Sequence, residues 1–277
     1  MSAPKLGPAA ATGFAALRGL SAEQLAERLA GPPAEVACWL RAAARYGVVE
    51  AQTALGQILL DGRGVAQDRP AAALWFNIAA EAGYSPAINM LGRCCELGWG
   101  LPVDLTRSAE CYRRAAEAGL DWGQYNFANL LLRGRGVAPD RKAALMFYRR
   151  AASQGHAKSI NMVGRFIEQG WETRPDPAVA ADWYRRAAEA GDFRGQYNLA
   201  SVLALGGDVT QAEMWLHRAM QSATTDFLVL MSARLASSAQ PRLRRVGAIA
   251  ATLAAGQSGA RTGRQVGRTD GPHAAYR

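Results

Sequence analysis

Carboxylates, imidazoles, thiols and glycine-rich turns recur in this chain at spacings that invite chemistry. Asp68, Asp104, Asp140 and Asp176 stand 36 residues apart, and Asp208 follows four residues early. A repeated carboxylate is what a metal ion or a general acid–base pair would use. Gly62-Arg63-Gly64-Val65 and Gly134-Arg135-Gly136-Val137 supply the small residues of a phosphate-cradling loop. Both readings give way to a structural one. Each Asp opens the second helical stretch of its unit, where a carboxylate accepts from orphan backbone N–H groups and opposes the helix dipole. Pro177, directly after Asp176, falls at the first helical position, where proline is welcome. The glycine turns lack a preceding strand, the third glycine of a dinucleotide loop and a Gly-Lys-Ser/Thr ending. They read as turns tolerant of positive φ.

The remaining reactive groups form no constellation. His156, His217 and His273 fall at a unit joint, on an outer helix and in the tail. None has a nucleophile or carboxylate at a useful spacing. Cys38, Cys94, Cys95 and Cys111 show no C-x-x-C spacing and no even framework, which favours buried small apolar residues in a reducing compartment. No catalytic residue, metal site, cofactor or small-molecule substrate is assigned. The expectation is a chain that is not an enzyme.

The elements that carry these residues follow from one period. Trp39, Trp75, Cys111, Phe147 and Trp183 are 36 residues apart, and Gly47, Gly83, Gly119, Gly155 and Gly191 close the units at the same step. Self-similarity at this length marks a helical solenoid, whose units are too small to bury their own apolar faces and must stack on neighbours. Ala51, Ala54, Leu55, Ile58 and Leu59 share one face of a first helix, helix A. Ala72, Trp75, Phe76 and Ala79 do the same on a second, helix B.

The predicted organisation is a flexible lead-in over 1–20, a solenoid over 21–238 and a basic, disordered tail over 239–277. Ser21 and Gln24 have capping-box spacing and start a short helix that ends at Gly31-Pro32-Pro33. Within the solenoid lie a half repeat at 33–47, repeats at 48–83, 84–119, 120–155, 156–191 and a shortened 192–221, and a capping helix at 222–238. The net charge of +9 is uneven. Residues 239–277 hold seven Arg and a single acid, Asp270. Pro241 reads as a stop, and Val246–Ala255 as apolar enough for one loose helix. No run approaches the roughly 20 apolar residues of a membrane-spanning helix. A cytoplasmic location is expected, or a periplasmic one if residues 1–20 act as a weak signal.

Gln196-Tyr197-Asn198-Leu199-Ala200, the Gly-x-Gly-Val turn, the periodic Asp and Trp183-Tyr184-Arg185-Arg186-Ala187-Ala188 resemble the Sel-one-like (Sel-1-like, SLR) repeat, a relative of the tetratricopeptide repeat. The resemblance covers about residues 33–220. It implies an all-α, right-handed superhelical solenoid of helix pairs and a non-enzymatic adaptor or scaffold that binds a protein or an extended peptide. Bacterial members of this general type occur near iron-uptake receptors and iron-dependent hydroxylases. That implies an alternative role, accessory to a neighbouring bacterial enzyme or uptake system. The fifth unit departs from the pattern by missing most of its turn, so a change of pitch is expected near Gly206-Gly207. The disulfides of extracellular members are absent.

The resemblance also implies where binding sits, because helix A lines the inner wall of such arrays. The residues flanking its central Leu-Gly column share one face: Thr53 and Gln57, Asn89 and Arg93, Tyr125 and Asn129, Asn161 and Arg165, Tyr197 and Ser201. These amide, aromatic and guanidinium side chains pair with backbone amides and carboxylates or offer flat contact surface. Arg93, Arg165, Tyr125 and Tyr197 are the expected anchors. Asn89, Arg93, Glu96, Gly98 and Trp99 recur 72 residues on as Asn161, Arg165, Glu168, Gly170 and Trp171. The competing reading is duplication of a two-repeat block, with Arg93–Glu96 and Arg165–Glu168 as plain helix-surface pairs. Trp99 and Trp171 either touch a partner or pack onto the next unit. Arg113–Glu117 and Arg185–Glu189 read as solvated pairs on the outer face. A second partner class, nucleic acid or anionic lipid, would act through the Arg-rich tail.

Overall fold

The short amphipathic stretches predicted from the period form helices of nearly uniform length in a computed structural model that describes residues 30–264. Segments 1–29 and 265–277 lie outside the described residues. With them go the expected lead-in, the helix beginning at Ser21 and the end of the tail. Thirteen helices and no strand are present among the described residues: α1 (Pro33–Arg45), α2 (Val49–Asp61), α3 (Arg69–Glu81), α4 (Ser85–Leu97), α5 (Leu105–Glu117), α6 (Asp121–Arg133), α7 (Arg141–Ser153), α8 (Ala157–Gln169), α9 (Pro177–Glu189), α10 (Phe193–Leu205), α11 (Val209–Ser222), α12 (Thr225–Ala236) and α13 (Pro241–Arg264). The fold is an all-α solenoid of helix pairs. Helix A of each pair is α2, α4, α6, α8 or α10; helix B is α3, α5, α7, α9 or α11. No helix among the described residues is long and apolar enough to cross a membrane.

The chain divides after Asp140 into two units. Within unit 1, α1 to α6 pack each on the next, and α4 also meets α6. Within unit 2, α7 to α11 do the same, α8 meets α10, and α13 packs on both α11 and α12. Each core is a seam between paired helices. Unit 1 buries Leu55, Leu59, Ala72, Phe76, Leu91, Cys95, Cys111 and Ala115; unit 2 buries Ala200, Ala212, Leu216, Leu228, Met231 and Leu235. At about 1.5–3 kcal/mol per large buried side chain, these seams, and not helix propensity, hold 13-residue helices together.

The periodic aspartates bind their own backbone. The side chains of Asp68, Asp104, Asp176 and Asp208 accept from the N–H groups of Ala71, Arg107, Val179 and Gln211 at 2.9–3.0 Å. Their main-chain N–H groups donate back to the preceding helix A, at Leu59, Cys95, Ile167 and Leu203, and Asp140 makes the same bond to Leu131. One residue thus caps helix B and closes the turn, which explains its period without any ligand.

Two expectations change. The tail expected to be disordered from residue 239 is helical over Pro241–Arg264. Leu243, Val246, Ala250 and Ala254 lie on one helical face and are buried in unit 2. Arg242 pairs with Glu213 at 2.6 Å, and the Thr225 hydroxyl donates to Gln257 at 2.7 Å. Pro241 begins this helix, at the position where its missing N–H costs nothing, five residues after α12 has ended. The connection from α10 to α11 is residues 206–208, against residues 134–140 between α6 and α7.

Candidate partner-binding site

The helix A residues singled out from sequence divide by burial into two kinds. In unit 1, Asn89 on α4 is only 1% exposed, and its Oδ1 accepts from Asn126 Nδ2 on α6 at 2.9 Å. In unit 2, Asn161 on α8 is 2% exposed and accepts from Asn198 on α10 at 2.8 Å. These amides join one helix A to the next. Asn89 and Asn161 are therefore removed from the partner-binding set: a helix that leans on its neighbour through them leaves no room for a partner.

The others remain at the surface. Thr53 and Gln57 are half-buried, with the Thr53 hydroxyl donating to Val49 O at 2.8 Å and the Gln57 amide to Asp61 at 2.8 Å. Arg93 lies 4.8 Å from the Trp99 ring centroid. Trp99 itself is 8% exposed, so it packs inside the unit and serves as a platform for the guanidinium. Tyr125 and Asn129 are half-buried, Tyr125 edge-on to Trp122 at 6.2 Å. In unit 2, Arg165 is exposed and sits 5.8 Å from the Trp171 ring, with Arg141 at 5.6 Å from it. Tyr197 packs edge-on to Phe227 of α12 at 5.5 Å; the Ser201 hydroxyl donates to Tyr197 O at 2.9 Å.

A glutamate completes each block. On α4, Gly92 lets the Tyr112 ring cross so closely that a Cβ there would lie 2.8 Å from it. The Tyr112 hydroxyl then donates to Glu96 at 2.9 Å. Gly164 seats Tyr184 likewise, and its hydroxyl donates to Glu168 at 2.8 Å. Burial first, and the bond to Glu168 second, hold the Tyr184 phenol well above its usual pKa. Glu96 also takes Arg135 at 3.1 Å. The competing reading paired the glutamates locally with Arg93 and Arg165, and neither reading found Asn126, Asn198, Tyr112, Tyr184 and Arg135. The signal was available: 89/126 and 161/198 are each one helical step beyond the 36-residue period.

The groups with reactive potential are engaged in the fold. Burial pushes the Cys94 thiol up to about 12 and the Cys111 thiol to about 11, and raises Cys95 as well. All four cysteines are free thiols, Cys38 alone being exposed. The buried His156 ring caps α8, with Nδ1 3.3 Å from Ser159 N and 2.9 Å from its hydroxyl. Among the described residues no three His, Cys, Asp or Glu side chains converge to hold a metal ion. On the outer face Arg113 bridges Glu110 and Glu117, while Arg185 pairs with Asp182 at 2.9 Å.

The Sel1 repeat family model matches residues 49–84, 85–120, 123–156, 157–192 and 194–221, more than half of the chain. The protein belongs to the Sel1 repeat family. No curated protein sequence matches it. Among solved structures, a protective antigen of uropathogenic Escherichia coli strains with an SLR fold is 26% identical at a TM-score of 0.66. The match covers 91% of this chain and 57% of the antigen. A Sel1 repeat protein from Oxalobacter formigenes is 23% identical at a TM-score of 0.70 over 88% of this chain and 99% of its own. The immunity protein PA5088 of Pseudomonas aeruginosa, 16% identical at a TM-score of 0.54 over 76% and 82%, shares the fold. Sel1 repeat proteins generally mediate protein–protein interaction, and the fold is typically a non-enzymatic scaffold.

Proposed function

We propose that the protein is an adaptor that holds an extended segment of a protein partner on the helix A face of a unit. One face carries Thr53, Gln57, Arg93, Tyr125 and Asn129; the other carries Arg165, Tyr197 and Ser201. The observation that carries the reading is the split in burial. Asn89 and Asn161 meet the internal needs of helix stacking, yet planar, hydrogen-bonding side chains still stand beside them at the surface. Tyr and Arg are the residue types that anchor interfaces, because they bring large contact area and directional donors at low entropic cost. The unpaired cysteines support a reducing, cytoplasmic setting.

Two of the seven arginines behind the nucleic-acid or lipid alternative take part in the fold. Arg242 is committed to Glu213, and Arg244 Nη1 donates to the carbonyls of Ser238 and Ala239 at 2.8 and 3.2 Å. The test is partner recovery with an Arg93→Ala/Arg165→Ala/Tyr197→Ala chain beside an outer-face Arg114→Ala/Arg149→Ala/Arg186→Ala control. With about 1–2 kcal/mol per anchor, recovery falls at least about tenfold for the first and holds for the second. Unchanged recovery by the first chain, with helicity intact, overturns the assignment.

A further inference from the structure

The two units contain the same glutamate in different company. In unit 1, the carboxylate of Glu96 is filled from both sides, by the Tyr112 hydroxyl on Oε2 and by Arg135 Nη1 on Oε1. Arg135 comes from the Gly134-Arg135-Gly136 turn of the following repeat. Gly136 seats that turn: it has φ +69°, and a Cβ there would run into the backbone of Leu105 at the start of α5. In unit 2, Glu168 keeps its tyrosine, Tyr184. The following turn, however, is four residues shorter, and the counterpart of Arg135 is Gly207. Glu168 is exposed, and the donors that reach it, Tyr184 and Gln169, both go to Oε2. At the end of α10 Leu205 is 90% exposed, and residues 206–208 alone connect it to α11.

We infer that this notch, bounded by Glu168, the first turn of α9 at Pro177 and Leu205, receives an arginine side chain of a partner polypeptide, in an extended segment with small flanking residues. The chain itself supplies the template: the Gly-Arg-Gly turn of unit 1 shows which group pairs with this glutamate and how a glycine approaches the helix start. Arg165 beside Glu168 does not oppose the fit, because its counterpart Arg93 stands beside Glu96 while Arg135 binds there. A guanidinium matches the geometry of a carboxylate oxygen better than an ammonium does. The inference rests on the protein-binding reading and names a contact for it.

The test titrates the full chain with the capped peptide Gly-Arg-Gly-Val-Ala-Pro, a copy of residues 134–139, followed by NMR or calorimetry at low salt. Binding saturates and weakens about fivefold or less when Gln replaces Arg in the peptide, as for an exposed ion pair. It weakens similarly in Glu168→Gln, whose Tyr184 bond survives, and declines with added salt. A chain in which residues 134–139 replace Gly206-Gly207 fills its own notch and stops binding the peptide. Equal binding of the Arg and Gln peptides, an unaffected Glu168→Gln, an unaffected loop graft, or no saturable binding each overturns the inference. A failed peptide with partner recovery still sensitive to the helix A variants removes the notch alone. A binding peptide with insensitive recovery removes the helix A reading alone.

Discussion

Units 1 and 2 repeat one two-helix-pair block, and they differ where its last turn meets the next repeat. Asn89–Asn126 and Asn161–Asn198, Tyr112–Glu96 and Tyr184–Glu168 are the same bonds at the same register. Yet in unit 1 the block is closed by Gly136 and Arg135, whereas unit 2 has Glu172 where unit 1 has Gly100, and a shortened loop. The lesson is that a repeat's chemistry is set by its neighbour. The same glutamate is a satisfied structural carboxylate in one context and an exposed acceptor in the other, because in a solenoid a repeat is completed by the repeat packed on it.

The largest way to break the comparison is at the turn glycines. Gly136→Val forces a side chain into the Leu105 backbone in a left-handed conformation and should destabilise by about 3 kcal/mol. Glu172 is the one non-glycine residue with positive φ among those described, at +55°. Glu172→Gly should therefore raise stability, by about 1 kcal/mol. Urea denaturation reads both, and a loss on Glu172→Gly would show that unit 2 does not carry this strain. Next come the amide ladders. Asn126→Ala and Asn198→Ala each strand a buried acceptor and should cost about 1–3 kcal/mol. Unequal costs would show that the two blocks are not energetically equivalent.

The smallest effect sharpens the joint at α10. Asp192 caps that helix through Gly195 N–H at 2.8 Å but is 5% exposed. Burial raises its carboxyl pKa against the lowering by that bond and by Arg194 and Lys158. A raised folded-state pKa means the native chain holds the proton more readily than the unfolded one. Its stability contribution is complete below the ordinary carboxylate range and is lost as pH rises through the folded-state value. Asp192→Asn keeps the cap acceptor and should be the more stable chain at pH 7, with the gap closing towards pH 4. Denaturation at the two pH values checks this; a gap that widens in acid contradicts it.

Periodicity made most of the fold legible. Columns such as Trp75, Cys111 and Trp183 place helix B, and the Asp column places its caps, because local rules recur when a unit recurs. The site was less legible because sequence spacing says which side chains share a face but not which neighbour covers it. Asn89 and Arg93 are one turn apart, yet the first is enclosed by Asn126 and the second stays at the surface. Helix α13 was legible only in part: Val246–Ala255 reads as one loose helix, but the surrounding Ala, Gly and Arg content resembles a solvated tail, and the stripe Leu243, Val246, Ala250 and Ala254 is narrow and supplies an interface only because α11 and α12 offer one.

Photo-crosslinking from single sites is the most direct test of a partner held on helix A. A photoreactive residue at Asn129 or Ser201 should capture the protein partner in cells, and one at Arg114 or Arg186 on helix B should not. Capture from the helix B positions with none from helix A would contradict the account.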